Sequence, residues 1–277
     1  MRSGSSLARK AVKAAVLPGG IVSRRRSGDV VILLYHRVGG GGGEIDLPAA
    51  LFERQLATLA EQERVLTLDQ AVAGGDGGGV VVTFDDGYRD FHDTVLPLLV
   101  RHRIPAVLYL ATGLVAGEGG RSTGAPPWGS PDPSGDHPEA LSWSQLAEAV
   151  ATGLVTVGAH THGHTDLSSA PERVCNDEMA RSKELVEDRL GVACRHFAYP
   201  WAVGSPIADR AARRLFDSAA LDAWRTNRAG AIDPWKLGRT PVLASDGHAF
   251  FRAKLKGRLD GEALAYRLLG RGPWRRA

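Results

Sequence analysis

Two groups of ionisable residues, far apart in the sequence, have the types and spacing of a metal site. Asp85 and Asp86 are adjacent and follow the apolar run Val80–Phe84. His160 and His164 are four residues apart, a spacing that one helical turn or a tight loop can bring together. Adjacent carboxylates repel each other unless a cation or a shared proton lies between them, and neutral imidazole is a common zinc ligand. Two imidazoles and one carboxylate would form a three-ligand site with open positions, which is a catalytic rather than a structural arrangement.

Each group alone also has an ordinary interpretation. The aspartate pair could form an Asx-turn that caps the following helix, and the histidines could be surface residues. In an extended strand, the side chains of Asp85 and Asp86 point to opposite sides. Both can face one site only if the chain bends, and Gly87 directly afterwards would permit that bend. His162, between the two histidines, is left without a role.

Short apolar runs alternate along the chain with segments of helical periodicity. The predicted strands are Val30–Leu34, Val80–Phe84, Ala106–Leu110, Leu154–Val157, His196–Tyr199 and Ser218–Leu221. The predicted helices are Ala49–Arg64, Thr94–His102, Trp143–Thr152, Pro171–Leu190 and Ile207–Leu215. This alternation is typical of a parallel sheet with helices outside it. So many units in 277 residues predict a closed or nearly closed α/β barrel.

Polar and ionisable residues follow the ends of several of these strands. His36 follows the first strand, Asp85 and Asp86 the second, His160 the fourth, and Tyr199-Pro200-Trp201 the fifth. The carboxyl ends of the strands carry the active site in α/β barrels. We therefore expect these residues to meet at one end of the barrel.

Composition and charge narrow the class of protein. Hydrophobic residues make up 43% of the chain, and no run of about 18 apolar residues is long enough for a transmembrane helix. Two cysteines, Cys175 and Cys194, are too few for a disulfide framework or a thiolate zinc site. Residues 1–29 carry seven Lys/Arg against one Asp, residues 252–277 carry eight against two acids, and residues 30–251 carry 19 against 28. The basic residues therefore lie at the ends of an acidic body.

We divide the chain into a basic N-terminal tail (1–29), a folded domain (30–251) and a basic C-terminal tail (252–277). A Gly-, Pro- and Ser-rich loop insertion (116–140) is either a lid or disordered. The tails are either frayed or bind anionic lipid, and the acidic body argues against nucleic acid. Because no secretory signal is evident, we expect a cytoplasmic protein, either free or peripheral to the inner face of the membrane.

The segment Thr83–Gly87 resembles the first motif of the polysaccharide deacetylase family (carbohydrate esterase family 4, the NodB-homology domain). Gly158–Leu167 is similar to its second motif, Phe197–Trp201 to a variant of its third, and Leu33–Val38 to the opening strand of one branch. The resemblance spans roughly residues 30 to 250, so that residues 30–251 would be the catalytic domain.

The resemblance implies a distorted (β/α) barrel of about seven parallel strands and one divalent metal, zinc or else cobalt, nickel or iron. Asp86, His160 and His164 would be its ligands. Asp85 would be the general base for the attacking water, and a backbone N–H at Tyr199 would help to stabilise the oxyanion. The implied substrate is an N-acetylated glycan or sugar conjugate, from whose N-acetylhexosamine the enzyme would remove the acetyl group.

The sequence departs from the family pattern at two positions. Arg239 stands where better-known members carry a late histidine that acts as the general acid, and His248, nine residues on, is a candidate substitute. Ala198 stands where many members carry an arginine that orients the base, with Arg195 nearby. A glycan-binding pseudoenzyme on the same barrel is therefore the alternative function.

Further residues near the motifs are candidates for substrate binding. These are Tyr88, Pro200, Trp201 and His36, and Trp128, Trp143 and Trp224 could also stack on a sugar ring. A non-haem iron oxygenase would share the metal ligands, but such sites usually lie on antiparallel sheets. A serine hydrolase is disfavoured because no Gly-x-Ser-x-Gly motif is present.

Overall fold

The protein is a closed barrel of seven parallel strands surrounded by helices. The computed structural model describes residues 25–39, 42–74, 77–116, 139–221, 224–258 and 260. The barrel strands are β1 (Val30–Tyr35), β4 (Gly79–Asp86), β5 (Ala106–Leu110), β6 (Val155–Ala159), β7 (His196–Ala198), β8 (Ser218–Leu221) and β9 (Leu237–Pro241). They follow one another around the barrel in chain order, and β9 closes it by pairing with β1. Two short strands, β2 (Arg37–Val38) and β3 (Asp46–Leu47), pair beside the barrel. The expected barrel of about seven parallel strands is confirmed.

The helices pack on the outside of this barrel. They are α1 (Ala49–Gln62), α2 (Leu68–Val72), α3 (Leu96–His102), α4 (Trp143–Ala151), α5 (Glu172–Leu190), α6 (Pro206–Leu215) and α7 (Gly247–Leu255). A π-helical turn, Phe91–Val95, leads into α3. The Ser142 side chain accepts a hydrogen bond from the N–H of Gln145 and so caps the start of α4. Gly191, in the left-handed conformation at φ 67°, ends α5.

The strands are buried on both faces because they separate two apolar layers. Outward residues such as Leu33, Val82 and Leu108 pack under the helices in the larger cluster. Inward residues such as Ile32 and Val81 fill the barrel in a smaller cluster, to which α2 contributes. Continuous apolar runs of this kind are typical of strands covered on both sides.

The folded body extends beyond the boundaries that we expected from the charge pattern. Helix α7 crosses residue 251, and Lys254 within it is buried, where it donates hydrogen bonds to Asp246 Oδ2 (2.7 Å) and the carbonyl of Pro241. At the other end, the backbone N–H of Arg25 donates to the carbonyl of Lys256. Residues 25–29 and 252–258 therefore belong to the body rather than to the tails, because they pack against each other and against the barrel.

Other parts of the expected tails, and most of the 116–140 insertion, lie outside the described residues. In the described part of the chain, no helix is both long enough and apolar enough to cross a membrane.

Candidate metal and catalytic site

Asp86, His160 and His164 lie together at the carboxyl end of the barrel. Asp86 Oδ1 is 3.5 Å from His160 Nε2 and 3.4 Å from His164 Nε2, and all three residues are buried. Four ligands at about 2.1 Å in a tetrahedron lie about 3.4 Å from one another, so these separations fit an ion of the size of zinc. Asp86 Oδ1 accepts no hydrogen bond from the described residues. A buried carboxylate oxygen without a donor is suited to a cation.

The backbone bends so that the two adjacent aspartates face the same cavity. Asp86 ends β4 with φ at 80°, and Gly87 follows at 97°. The bend therefore begins one residue earlier than the glycine suggested, at the ligand itself. On the facing loop, Thr161 (φ 63°) and His164 (φ 54°) are also left-handed, which folds the second imidazole back beside His160. Left-handed conformations are unfavourable for such residues and are typically retained at functional sites.

The protonation states of His160 and Asp86 suit metal binding. His160 Nδ1 donates to the carbonyl of Ala198 at 2.8 Å, which leaves the Nε2 lone pair for the cavity. Burial lowers the pKa of His160 to about 4, so the imidazole is neutral at pH 7. Burial opposes ionisation of Asp86, but the neighbouring His164 outweighs it and lowers the pKa of Asp86 to about 2. The cavity therefore presents a neutral imidazole and an ionised carboxylate.

Asp85 is held by a buried arginine from the last strand of the barrel. Arg239 Nη1 and Nη2 donate to Asp85 Oδ1 and Oδ2 at 2.6 and 2.8 Å. Burial alone would raise the pKa of Asp85, but the charge of Arg239, followed by that of His160, lowers it. The carboxylate is thus ionised and fixed in orientation by a two-point contact.

Arg239 orients the candidate base Asp85, a role for which the sequence indicated no clear residue. The sequence indicates Arg239 only as the replacement of the late histidine, and Arg195 only as a neighbour of Ala198. Arg195 precedes β7, is half-exposed, and pairs with Asp69 and Asp217 at the far end of the barrel. The pairing of β9 with β1 places Arg239 opposite Ile32 and brings its guanidinium to Asp85.

The ligands and Asp85 line a narrow cavity that opens at the carboxyl end of the strands. The lining residues are Leu34, His36, Ile45, Asp85, Asp86, His160, His164, Tyr199, Trp201, Ala202 and Arg239. Of the residues predicted to bind substrate, His36 and Trp201 are in this lining. The Trp201 ring lies 4.9 Å from the His164 ring, and its backbone is left-handed at φ 58°. Pro200 is buried at the start of the same turn and is absent from the described lining.

Tyr199 reaches the cavity, but its backbone cannot play the expected part. The N–H of Tyr199 donates to the carbonyl of Ala220 at 3.1 Å, within the pairing of β7 with β8. The hydroxyl donates to Asp209 at 2.7 Å. In this structure the N–H is thus used in the sheet and the hydroxyl in a contact with an outer helix, so neither donor is directed at a substrate as the expected oxyanion contact would require.

Tyr88 lies outside the lining of this cavity. It is buried and forms a hydrogen bond with the Asp86 carboxylate. Burial raises the pKa of Tyr88, and the charge of Asp86 and a hydrogen bond with it raise that pKa further. The Arg37 guanidinium lies 5.3 Å from the ring centroid. Tyr88 therefore orients Asp86, and the structure does not place it with the other predicted substrate-binding residues in this cavity.

His248 is also remote from the cavity. It lies on α7, outside the barrel, where Nε2 is 3.5 Å from Thr58 Oγ1 of α1. Trp143 packs against the outer apolar layer, Trp224 is buried beside Lys254, and Trp128 lies outside the described residues. The substitution of His248 for the missing acid is therefore not supported, because His248 contacts α1 and is absent from the cavity lining.

Comparisons with known proteins agree with this architecture. The family model described as polysaccharide deacetylase matches residues 74–216. YxkH of Bacillus subtilis, a protein named for the same family, is 25% identical over 150 residues, which are 54% of this chain and 46% of YxkH. The chain thus aligns with about half the length of this relative.

Several solved structures share the fold over most of this chain. Streptococcus pyogenes deacetylase PplD matches with a TM-score of 0.68 at 20% identity, over 82% of this chain and 98% of PplD. IcaB from Ammonifex degensii matches with a TM-score of 0.67 at 27% identity, over 82% of this chain and 97% of IcaB. The polysaccharide deacetylase BC0361 from Bacillus cereus matches with a TM-score of 0.68 at 20% identity, over 83% of this chain and 70% of BC0361. With a family model that covers more than half of its residues, this chain belongs to the polysaccharide deacetylase family.

Proposed function

We propose that the chain is a metal-dependent hydrolase that removes the N-acetyl group from an N-acetylhexosamine in a glycan or glycoconjugate. The observation that carries this proposal is the position of Asp85, ionised and oriented by Arg239, beside three converging metal ligands. A base, a metal site and an open cavity are the parts that hydrolysis of an unactivated amide needs. Membership of the deacetylase family supports the same reaction.

The donor set suits zinc, and cobalt, nickel and iron share its preference for imidazole. Held by Asp86, His160 and His164, the metal would polarise the amide carbonyl and lower the pKa of water to roughly 7. The hydrogen bond from His160 Nδ1 to the carbonyl of Ala198 keeps the ring oriented for this purpose.

Asp85 accepts the proton of the attacking water. Its carboxylate is ionised at neutral pH, and the two hydrogen bonds from Arg239 prevent it from rotating. One of its oxygens, Oδ2, lies 3.7 Å from His160 Nε2, so the base is adjacent to the ligand cluster. A base so close to the attacked atom needs little motion to transfer the proton.

His36 donates a proton to the departing amine. Breakage of the C–N bond requires this proton, because an amide anion is a very poor leaving group. Among the described residues, His36 is the one imidazole in the cavity lining besides the two metal ligands. It is also close enough to Asp85 and Asp86 for its charge to affect the pKa of both. Trp201 and Ile45, at the same cavity, offer apolar surface to the sugar and the acetyl methyl group.

The test combines metal content with acetate release. We expect about one equivalent of metal in the parent, measured by mass spectrometry, and loss of metal from Asp86→Asn and His160→Ala. Asp85→Asn should retain the metal and lose more than about 100-fold in acetate release from N-acetylglucosamine oligomers. His92→Ala is the matched control, because His92 contacts two carboxylates on the protein surface and is absent from the lining of the cavity.

The outcome for Asp85→Asn also separates the enzyme from a glycan-binding pseudoenzyme. An enzyme variant that lacks its base should bind oligomers as the parent does and fail to release acetate. If the metal-loaded parent binds oligomers and releases no acetate, the proposed hydrolysis is wrong and the alternative replaces it.

A further inference from the structure

A second cavity, of about 460 Å³, lies at the amino end of the barrel, opposite the metal site. Its lining comprises Arg25, Arg26, Ser27, Glu63, Gly77, Leu255, Lys256 and Arg258. We call it the basic cleft, since four of these residues are cationic and one is acidic. Three segments build it: the residues that lead into β1, the loop before β4, and the end of α7. The backbone bond from Arg25 N–H to the Lys256 carbonyl, at 3.0 Å, joins the first segment to the third.

The cations of the basic cleft are only partly neutralised. Arg25 pairs with Glu63 at 2.7 Å. Within the described ranges, Arg26, Lys256 and Arg258 have no carboxylate in ion-pair contact, and Arg26 and Lys256 are exposed. Arg258 Nε is buried and has no hydrogen-bond partner among these residues. A guanidinium N–H withdrawn from water without an acceptor is unfavourable, so its position points to an anionic ligand.

The two terminal segments that adjoin the cleft are also basic. Residues 1–24 contain five Lys/Arg and no acid, and residues 259–277 contain four Arg and two acids. Because Arg25 and Arg258 line the cleft, both basic segments join the folded body at this same place. The N-terminal segment also carries apolar residues, among them Leu7, Val12 and Leu17.

We propose that the basic cleft docks the protein on a bilayer that contains anionic phospholipid, with a headgroup phosphate between Arg26 and Arg258. Guanidinium groups bind phosphate oxygens with two parallel hydrogen bonds, and clustered basic residues are attracted to anionic leaflets. The apolar residues of the adjoining N-terminal segment suit the interface between headgroups and acyl chains. The acidic body, with 28 Asp/Glu against 19 Lys/Arg over residues 30–251, would repel an extended nucleic acid.

This docking has a consequence for the catalytic end. The strands are parallel, so the basic cleft and the metal site lie at opposite ends of the barrel. A docked molecule would hold its metal site away from the bilayer surface.

Vesicle flotation of the full-length chain tests the proposal. We expect the parent to bind phosphatidylcholine vesicles that contain about one third phosphatidylglycerol, and to leave pure phosphatidylcholine vesicles unbound, with binding that weakens as salt is added. Arg26→Ala with Arg258→Ala should weaken binding about 25-fold, at about fivefold for each basic residue near an anionic surface. Arg101→Ala with Arg173→Ala removes two exposed arginines elsewhere and should change binding by less than about twofold.

Glu63→Gln provides a test whose expected result, stronger binding, cannot arise from misfolding. It removes the acid of the cleft and frees Arg25, so it should strengthen binding several-fold, whereas Glu53→Gln, from the exposed pair with Arg101, should not. The proposal is overturned if the Arg26/Arg258 double variant binds like the parent while unfolding at the same temperature. Equal binding to neutral vesicles, or saturable binding of inorganic phosphate without vesicle binding, also overturns it. The assay contains no glycan, so its result is independent of the deacetylase proposal.

Discussion

The two ends of the barrel differ in which residues adopt left-handed backbone conformations. At the amino end, these positions are mainly glycines, among them Gly28, Gly77, Gly78 and Gly153, with Arg103 as an exception. At the carboxyl end, glycines such as Gly87 are joined by six residues with side chains: Asp86, Thr161, His164, Trp201, Ala202 and Trp224. A left-handed L-residue costs about 1–2 kcal/mol. The amino end needs only a turn, whereas the carboxyl end needs a turn that also aims a side chain.

The two ends also differ in how far their charged side chains are buried. At the carboxyl end, Asp85 and Arg239 form an ion pair that is almost entirely buried. At the amino end, buried Asp29 accepts hydrogen bonds from the half-exposed Arg228 and from the N–H groups of Arg26 and Ala229, while the side chains of Arg26 and Lys256 are exposed. Removal of one partner should therefore cost more at the carboxyl end, because it leaves the other charge buried and unpaired.

The largest effect is expected from Arg239→Met. It leaves Asp85 buried without its partner, and removal of one member of a buried ion pair costs about 3–5 kcal/mol of unfolding free energy. Arg101→Met, from the exposed pair with Glu53, should cost less than about 1 kcal/mol. Urea unfolding of both variants measures the difference. Adding Asp85→Asn to Arg239→Met should recover most of the lost stability and none of the activity.

The same variant separates a positioning role from a purely structural one. Without Arg239, burial raises the pKa of Asp85, so the acidic limb of the activity profile should move to higher pH in whatever fraction remains folded. If stability falls but the acidic limb stays in place, Arg239 does not tune the base.

Acidification should destabilise the metal-free protein in part through His160, at the carboxyl end of the barrel. Burial lowers the pKa of His160 to about 4, whereas its unfolded value is near 6.5. As the pH falls from about 6.5 to about 4, the unfolded state takes up a proton that the folded state does not, which removes up to about 3 kcal/mol of stability. The pKa of Asp29, at the amino end, is also lowered, but Asp29 affects stability only when the pH falls below its ordinary pKa of 3.8.

The His160→Asn variant isolates this contribution. Asp90, whose pKa burial raises to about 6, acts in the opposite direction over part of the same range, and comparing the parent with His160→Asn cancels its effect. Urea unfolding at pH 7 and pH 5 should show a smaller loss of stability in the variant. An equal loss would mean that His160 is not buried in the neutral form.

Tyr88→Phe should weaken metal binding without altering the ligands. The loss of a hydrogen bond to a metal-ligating carboxylate typically costs about 10- to 100-fold in metal affinity. Competition with a chromophoric chelator measures this affinity, and thermal unfolding of the metal-free form should change little. Tyr35→Phe is the matched control, because the Tyr35 hydroxyl donates to Gln55 on the outer side of the barrel.

The sequence was sufficient for most of the barrel, because its strands are continuous apolar runs. It was insufficient for β9, in which Gly238, Arg239, Thr240 and Pro241 follow a single leucine. That segment is a strand because it pairs with β1 and β8 and so closes the barrel, and no local pattern carries this information. Since β9 was not recognised, the arginine that holds Asp85 could be noted only as a departure from the family pattern.

The residues of the candidate site were predictable where residue type and position at the end of a strand are sufficient to identify them. Asp85, Asp86, His160 and His164 follow buried strands, and the structure brings them together. The tasks of Tyr88 and Tyr199 depend on what their hydrogen-bonding groups meet after folding. Tyr88 forms a hydrogen bond with Asp86 from outside the cavity, and the Tyr199 N–H donates to the carbonyl of Ala220 in the sheet. Spacing along the chain does not contain these contacts.

The smallest effects are expected from substitutions at left-handed positions, in which alanine replaces glycine at the amino end or glycine replaces alanine at the carboxyl end. Gly28→Ala places a Cβ at φ 89° and 2.9 Å from the Ala229 side chain, and should cost about 1–2 kcal/mol. Gly153→Ala, at φ 71° with no atom near its Cβ, measures the backbone part alone. Ala202→Gly relieves a left-handed residue beside Trp201 and should gain at most about 1 kcal/mol, because glycine also gains freedom in the unfolded chain. The looser turn should raise KM for N-acetylated oligomers more than it lowers kcat, since Trp201 would be held less firmly against His164. If Ala202→Gly instead destabilises the fold as much as Gly28→Ala does, the left-handed conformation at the catalytic end carries no strain, and its side chains are simply accommodated there.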